Sequence, residues 1–233
     1  MSLLDIAQRA ASRLGLRQPQ TVVGSNDLTA QILLEFANQE GEELSRYHNW
    51  QALTVQKTFT TLAQVVQTNA LPSTDYDRMV YNAEIWNRSL NLRYRGPTNS
   101  RVWQQIQSGV GAGVAGWWRI VGGQLNIYPA PTAGQTIAFE YISKKWCESS
   151  LGVDQEEFLA DTDVALISER LILLGIVWRY RHSRGFAQYA EDMATYEREK
   201  EKAAARDRAT GRISSSGSSP LNDGGTVVVE VTA

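Results

Sequence analysis

The chain has one cysteine, Cys147, and two histidines, His48 and His182, among its 233 residues. A single thiol excludes an intrachain disulfide, and two imidazoles leave little for a metal centre. The chain therefore needs no oxidising compartment. A basic excess is also missing: 23 Lys and Arg stand against 25 Asp and Glu, a net charge of −2. That balance lacks the electrostatic footprint of a nucleic-acid binder. No apolar run approaches the roughly 18–20 residues of a transmembrane helix; the best, Leu171 to Trp178, is closed off by Glu169 and Arg170. The N-terminal MSLLDIAQRAASRLG, with Asp5, is laid out as a helix rather than as a signal peptide. No membrane crossing is expected.

What is present is helical periodicity at both ends. From Asp161 the spacing Val164, Ile167, Leu171, Leu174, Trp178 predicts a helix buried over much of its circumference. Asp161 is its candidate N-cap, Asp163 sits in the first turn, and Arg179, Arg181 and His182 gather at its C-terminus. Gly185 permits a break, and Phe186, Tyr189, Met193 and Tyr196 begin a second helix that fades into EREKEKAAARDR. Leu3, Ile6, Ala7, Ala10 and Leu14 form a short N-terminal helix stopped by Gly15. Ser25 or Asn26 would cap another that runs to about Tyr47, with Ile32, Leu33, Phe36, Ala37, Leu44 and Tyr47 facing inward. Gly41 inside that helix either weakens it or admits a close crossing.

Between these ends the period changes to two. Thr54 to Thr61 alternates, Trp117 to Tyr128 reads as a hairpin turning at Gly122-Gly123, and Ile137, Phe139 and Tyr141 mark a further strand. SRVWQQIQ interrupts as a short helix ahead of a glycine-rich loop. The expected fold is α+β: a helical bundle from residues 1–49 and 153–211, an inserted antiparallel β-rich domain at 50–152, and a flexible tail at 212–233. The tail combines a Ser/Gly-rich linker with a β-prone end, Thr226, Val227, Val228, Val229, Glu230 and Val231.

Chemistry-bearing patterns are sparse. Gly109, Gly111, Gly113 and Gly116 lack the Lys-Ser/Thr of a phosphate loop. Asp75, Asp77 and Glu84, or Glu40, Glu42 and Glu43, could supply the two carboxylates of glycoside cleavage, but the latter three fit a solvated helix face. His48 and His182 have no nucleophile near them in sequence, and Cys147 shows no activating partner. Neither a cofactor nor a catalytic set is expected. Trp117 and Trp118 beside the glycine-rich loop, and Arg93 and Arg95 within the cluster Arg88, Arg93, Arg95 and Arg101, are instead candidates for contact with a partner protein. The strand Thr226, Val227, Val228, Val229 and Val231 is a candidate for docking on a sheet edge.

The ordered set RLG, ILLEFANQEGEELSRYHNWQAL, LPSTDYDRMV, GGQLNIYPAPTAGQTIAFEYISKKW, FLADTDVALISERLILLGIVWRY and AARDRATGR resembles the head-to-tail adaptors of short-tailed bacteriophages, the group that includes tail tubular protein A. The resemblance spans about residues 1–212. It implies a non-enzymatic virion protein, assembled in the host cytoplasm as a dodecameric ring. That ring would join the portal protein to the tail nozzle protein, and DNA would pass through its lumen without sequence-specific binding. A tail-borne cell-wall hydrolase and a glycan-binding module are the alternatives left by the unassigned carboxylates and exposed aromatics.

Overall fold

The computed structural model describes residues 1–80, 83–109 and 116–208. Helix α1 (Leu3–Leu14) opens with a reciprocal cap: the Ser2 hydroxyl accepts from the Asp5 N–H, and the Asp5 carboxylate accepts from the Ser2 N–H. Gly15, at φ 70°, closes it in the left-handed conformation that an L-residue avoids. Helix α2 (Leu28–Tyr47) is capped by Asp27, not by the predicted Ser25 or Asn26; the Asp27 carboxylate takes the Thr29 N–H at 3.0 Å. Ser25 Oγ serves one step back, accepting from the Asp27 N–H.

The intervening segment is strand-rich, with β1 (Thr54–Thr60), β2 (Val66–Gln67), β3 (Tyr76–Met79), β4 (Ile85–Asn87) and β5 (Leu92–Tyr94). Helix α3 (Ser100–Gln107) follows, then β6 (Trp117–Val121), β7 (Gln124–Tyr128) and β8 (Thr136–Ser143). The β6–β7 turn is Gly122-Gly123, at φ 58° and 72°, where both central residues need positive φ. One sheet is ordered β1-β8-β4-β5 with β3 also on β8, and another is ordered β2-β7-β6, all antiparallel. Alternation on β8 puts Ile137, Phe139 and Tyr141 into a core with Phe59, Ile85, Trp118, Leu125 and Ile127. The fold class is α+β.

Short strands β9 (Cys147–Glu148), β10 (Asp154–Gln155) and β11 (Val164–Ala165) form a third sheet, ordered β10-β9-β11. Helix α4 (Glu169–Ser183) and helix α5 (Tyr189–Arg208) complete the described chain. The predicted start of α4 is corrected by about two turns. Asp161 does not cap it; its carboxylate accepts from the Val22 and Val23 N–H groups at 3.0 and 2.8 Å. Asp163 is fully buried and takes the Leu159 and Ala160 N–H groups, so both carboxylates organise loops. Residue Val164 pairs in β11 and bridges to Ser2, which consumes the backbone groups a helix would have used.

Leu171, Ile172, Leu173, Ile176 and Val177 put α4 at the centre of the helical core, against Leu3, Ile6, Leu33 and Leu44. Helix α5 covers it less fully than its spacing predicts. Tyr196 is buried, but Phe186 and Met193 are 51% and 40% exposed. Gly41 resolves in favour of close approach: a Cβ there would strike the six-membered ring of Trp146, which is 1% exposed.

Candidate assembly surface

The sequence pointed to Arg93, Arg95, Trp117 and Trp118, and the fold gathers them where β5 runs alongside β6. The Arg95 N–H donates to the Gly116 carbonyl at 2.8 Å, and Trp118 N–H returns to the Arg95 carbonyl at 2.9 Å. This short parallel bridge joins the two β-sheets edge to edge. Two glycines let the backbones meet: a Cβ on Gly96 would lie 2.6 Å from the Trp118 carbonyl, and one on Gly116 would lie 2.6 Å from the Tyr94 ring.

The four residues have different fates. Trp118 is 1% exposed and belongs to the β core, so it forms the floor of the surface rather than an anchor projecting from it. Of the two candidate contact tryptophans, Trp118 is therefore buried and only Trp117 reaches the surface. The strand alternates, so adjacent indoles cannot both face out. Trp117 is half-buried, and the Arg95 guanidinium lies 5.4 Å over its ring. Arg93 is exposed and pairs with Glu84 at 2.6 Å, a solvated contact of small energetic weight. Arg93, Arg95, Pro97 and Met79 rim a depression of about 660 Å³ floored by Trp118. Its aromatic floor and arginine rim have the composition of a protein–protein contact. The docking residues Thr226, Val227, Val228, Val229 and Val231 lie outside the described residues.

The groups considered for catalysis are tied into the fold. Asp75 accepts from the Tyr141 and Ser143 hydroxyls and holds the end of β8. Burial, reinforced by that carboxylate, pushes the Tyr141 phenol up. Glu84 takes both Arg93 and the Trp86 indole N–H, and Asp77 pairs with Arg78. His48 lies 3.2 Å from Asp207 and stands edge-on to Trp50, while His182 packs near Trp178 and Tyr189. Cys147 is buried, and its thiol is pushed up to about 12 by desolvation and then by Asp163. Among the described residues no group of three or more His, Cys, Asp or Glu side chains could hold a metal ion.

One polar cluster runs against the sequence. Glu40, assigned with Glu42 and Glu43 to a solvated face, is fully buried. Arg179 of α4 donates from Nε to Glu40 at 2.9 Å and from a terminal nitrogen to Glu43 at 2.6 Å, while its guanidinium lies 4.6 Å over Trp178. Desolvation raises the Glu40 carboxyl above its ordinary range, opposed by the Tyr196 hydroxyl and by Arg179. One Glu40 oxygen, Oε1, has no hydrogen-bond partner. Gly175, one turn before Arg179, is the signal that could have found the cluster, because a Cβ there would occupy the Glu40 carboxyl position. Helices α2 and α4 are thereby keyed together by charge.

A helical core joined to aromatic-rich β-sheets, with the candidate catalytic groups among the described residues engaged in packing and an arginine-rimmed surface turned outward, has the features expected of a structural assembly protein. The model of one such family, the SU10 adaptor protein, matches residues 1–223, and the chain belongs to that family. Nothing among curated proteins matches the chain. Membership makes it an adaptor-type structural component of a bacteriophage virion, assembled with other virion proteins. No described helix is long and apolar enough to cross a membrane.

Proposed function

We propose that the protein is a head-to-tail adaptor: twelve copies close into a ring that joins the portal protein to the tail nozzle protein, and DNA leaves through the lumen. The observation that carries this reading is the adaptor family match over residues 1–223. A ring requires a heterologous surface repeated by rotation, and the arginine-rimmed depression between β5 and β6, with mixed charge and an apolar floor, is the candidate that supports this reading. The near-balanced charge of −2 suits a channel that lets phosphates slide instead of gripping them.

In this reading residues 1–49 and 153–211 form the ring body, 50–152 form a β-domain that meets a second partner, and 212–233 form a flexible tail ending in a docking strand. The strand Thr226 to Val231 engages the portal or an adjacent subunit by β-augmentation. Hydrolysis of cell wall is disfavoured by the engagement of Asp75 with Tyr141 and Ser143 and of Glu84 with Arg93.

The test is electron microscopy with mass determination on the protein mixed with its cognate portal, beside each component alone. A ring stacked on the portal is the expected outcome, weakened at least tenfold in affinity by deletion of residues 213–233. Failure of the two to associate, with the protein monomeric throughout, would remove the adaptor assignment.

A further inference from the structure

Strand β1 is the outer strand of its sheet, and among the described residues only β8 pairs with it. The bonds at its end show which of its groups remain. Thr61 N–H donates to the Gln135 carbonyl at 2.9 Å, and Gly134 N–H donates to the Thr61 carbonyl at 3.0 Å, so Thr61 points toward the β8 side. Alternation then turns Thr60, Thr58, Gln56 and Thr54 the other way. The Thr60 carbonyl is taken by the Asn69 side chain at 3.3 Å, and the Thr54 N–H by the Gln51 carbonyl. Gln56 and Thr58, both exposed, are left, among the described residues, presenting N–H and C=O groups to the open side. An open edge of this kind, without proline and with Lys57 as its one charge, is a template for a further strand.

The end of α5 lies beside the start of β1. The Asp207 carboxylate accepts from the Gln51 N–H at 3.1 Å, and the Asp207 carbonyl accepts from the Gln51 side chain at 2.5 Å, three residues before β1. Seventeen residues, 209–225, separate Arg208 from Thr226. A Ser/Gly-rich linker of that length has a root-mean-square span of about 21–25 Å. Seven residues of strand cover about 23 Å. The linker thus reaches from the start of β1 to its far end, the match that maximises effective concentration for an antiparallel partner.

We infer that in the unassembled subunit the chain's own segment Thr226 to Val231 adds to the open edge of β1 as an antiparallel strand. Val227, Val229 and Val231 continue the apolar face of Val55 and Phe59, which pack on the β core, and Thr226, Val228 and Glu230 continue the polar face of Gln56 and Thr58. The assignment rests on reading this segment as a docking strand. It adds that the strand is stored on its own subunit until a partner takes it.

The experiment is amide hydrogen exchange on the full chain, resolved at Gln56 and Thr58, with the β8 amides as internal reference. Two variants are compared: deletion of 213–233, which leaves every described element in place, and the double substitution Val228→Pro with Val229→Pro, which removes both adjacent tail donors. The expected result is exchange at Gln56 and Thr58 at least tenfold faster in both variants, with β8 unchanged. Equal rates in all three proteins overturn the inference, as does protection that grows with protein concentration, because the strand then comes from another copy. Portal attachment is read separately: attachment that needs the tail while β1 ignores it sinks only the stored strand. Loss of β1 protection with normal attachment sinks only the tail's portal role.

Discussion

The helical core and the β core solve the same problem differently. Each buries polar side chains, but α2 and α4 do so with a full charge, Glu40 against Arg179, whereas β4 uses a neutral amide, Asn87. Asn87, 0% exposed, donates to the Tyr94 hydroxyl at 3.1 Å and to Gln135 at 2.7 Å, and accepts from the Leu90 N–H. A sheet already has its register fixed by backbone ladders, so a neutral group suffices there. Helices carry no such ladder between them, and a directional ion pair can specify one crossing over its neighbours. The helical core is thus specified by side chains and the β core by backbone.

Mutation puts that contrast at risk. Arg179→Met leaves Glu40 buried without its cation and should destabilise the protein by about 3–5 kcal/mol in urea unfolding. Adding Glu40→Leu should recover most of that loss; an uncorrected double variant would mean the arginine acts through packing on Trp178 alone. Asn87→Ala strands the Tyr94 and Leu90 groups and should cost about 1–3 kcal/mol, without altering the β-sheet signal in circular dichroism.

The smallest effect is a pH dependence. Because the folded Glu40 carboxyl is raised above its ordinary 4.5, the folded state holds this proton more tightly than the unfolded chain. Its contribution is fully present below about pH 4.5 and is lost as pH rises through the folded value. Wild type compared with Glu40→Gln should therefore lose relative stability on going from pH 4 toward neutrality. Melting temperatures of the two proteins across that range measure it, and parallel curves would mean that Arg179 fully compensates the burial.

Much of the backbone is legible in the sequence because its signals are local. Gly15, the Gly122-Gly123 turn, the short helix at Ser100 and the alternation of Ile137, Phe139 and Tyr141 need no knowledge of distant residues. The start of α4 escapes such a reading because Asp161 and Asp163 are claimed by N–H groups of loops, those of Val22 and Val23 lying far back in the chain. Glu40 escapes it because a carboxylate in a charged run reads as solvated until Gly175 and Arg179 are seen opposite it. At the candidate surface the arginines and tryptophans stand out in sequence, yet which indole faces inward depends on the β5–β6 bridge, a pairing of residues more than twenty apart.

The distances along the chain between bonded partners carry one more consequence. Leu3 N–H bonds to the Asp163 carbonyl, Glu40 meets Arg179, and Gln51 meets Asp207, so the first helices are completed only by the last ones. On a ribosome that adds roughly 5–20 residues each second, the apolar stripes of α1 and α2 wait on the order of ten seconds for α4 to emerge. The newborn N-terminal helix pair is thus a natural client for a holding chaperone, and slowing translation before Glu169 should lengthen that dependence.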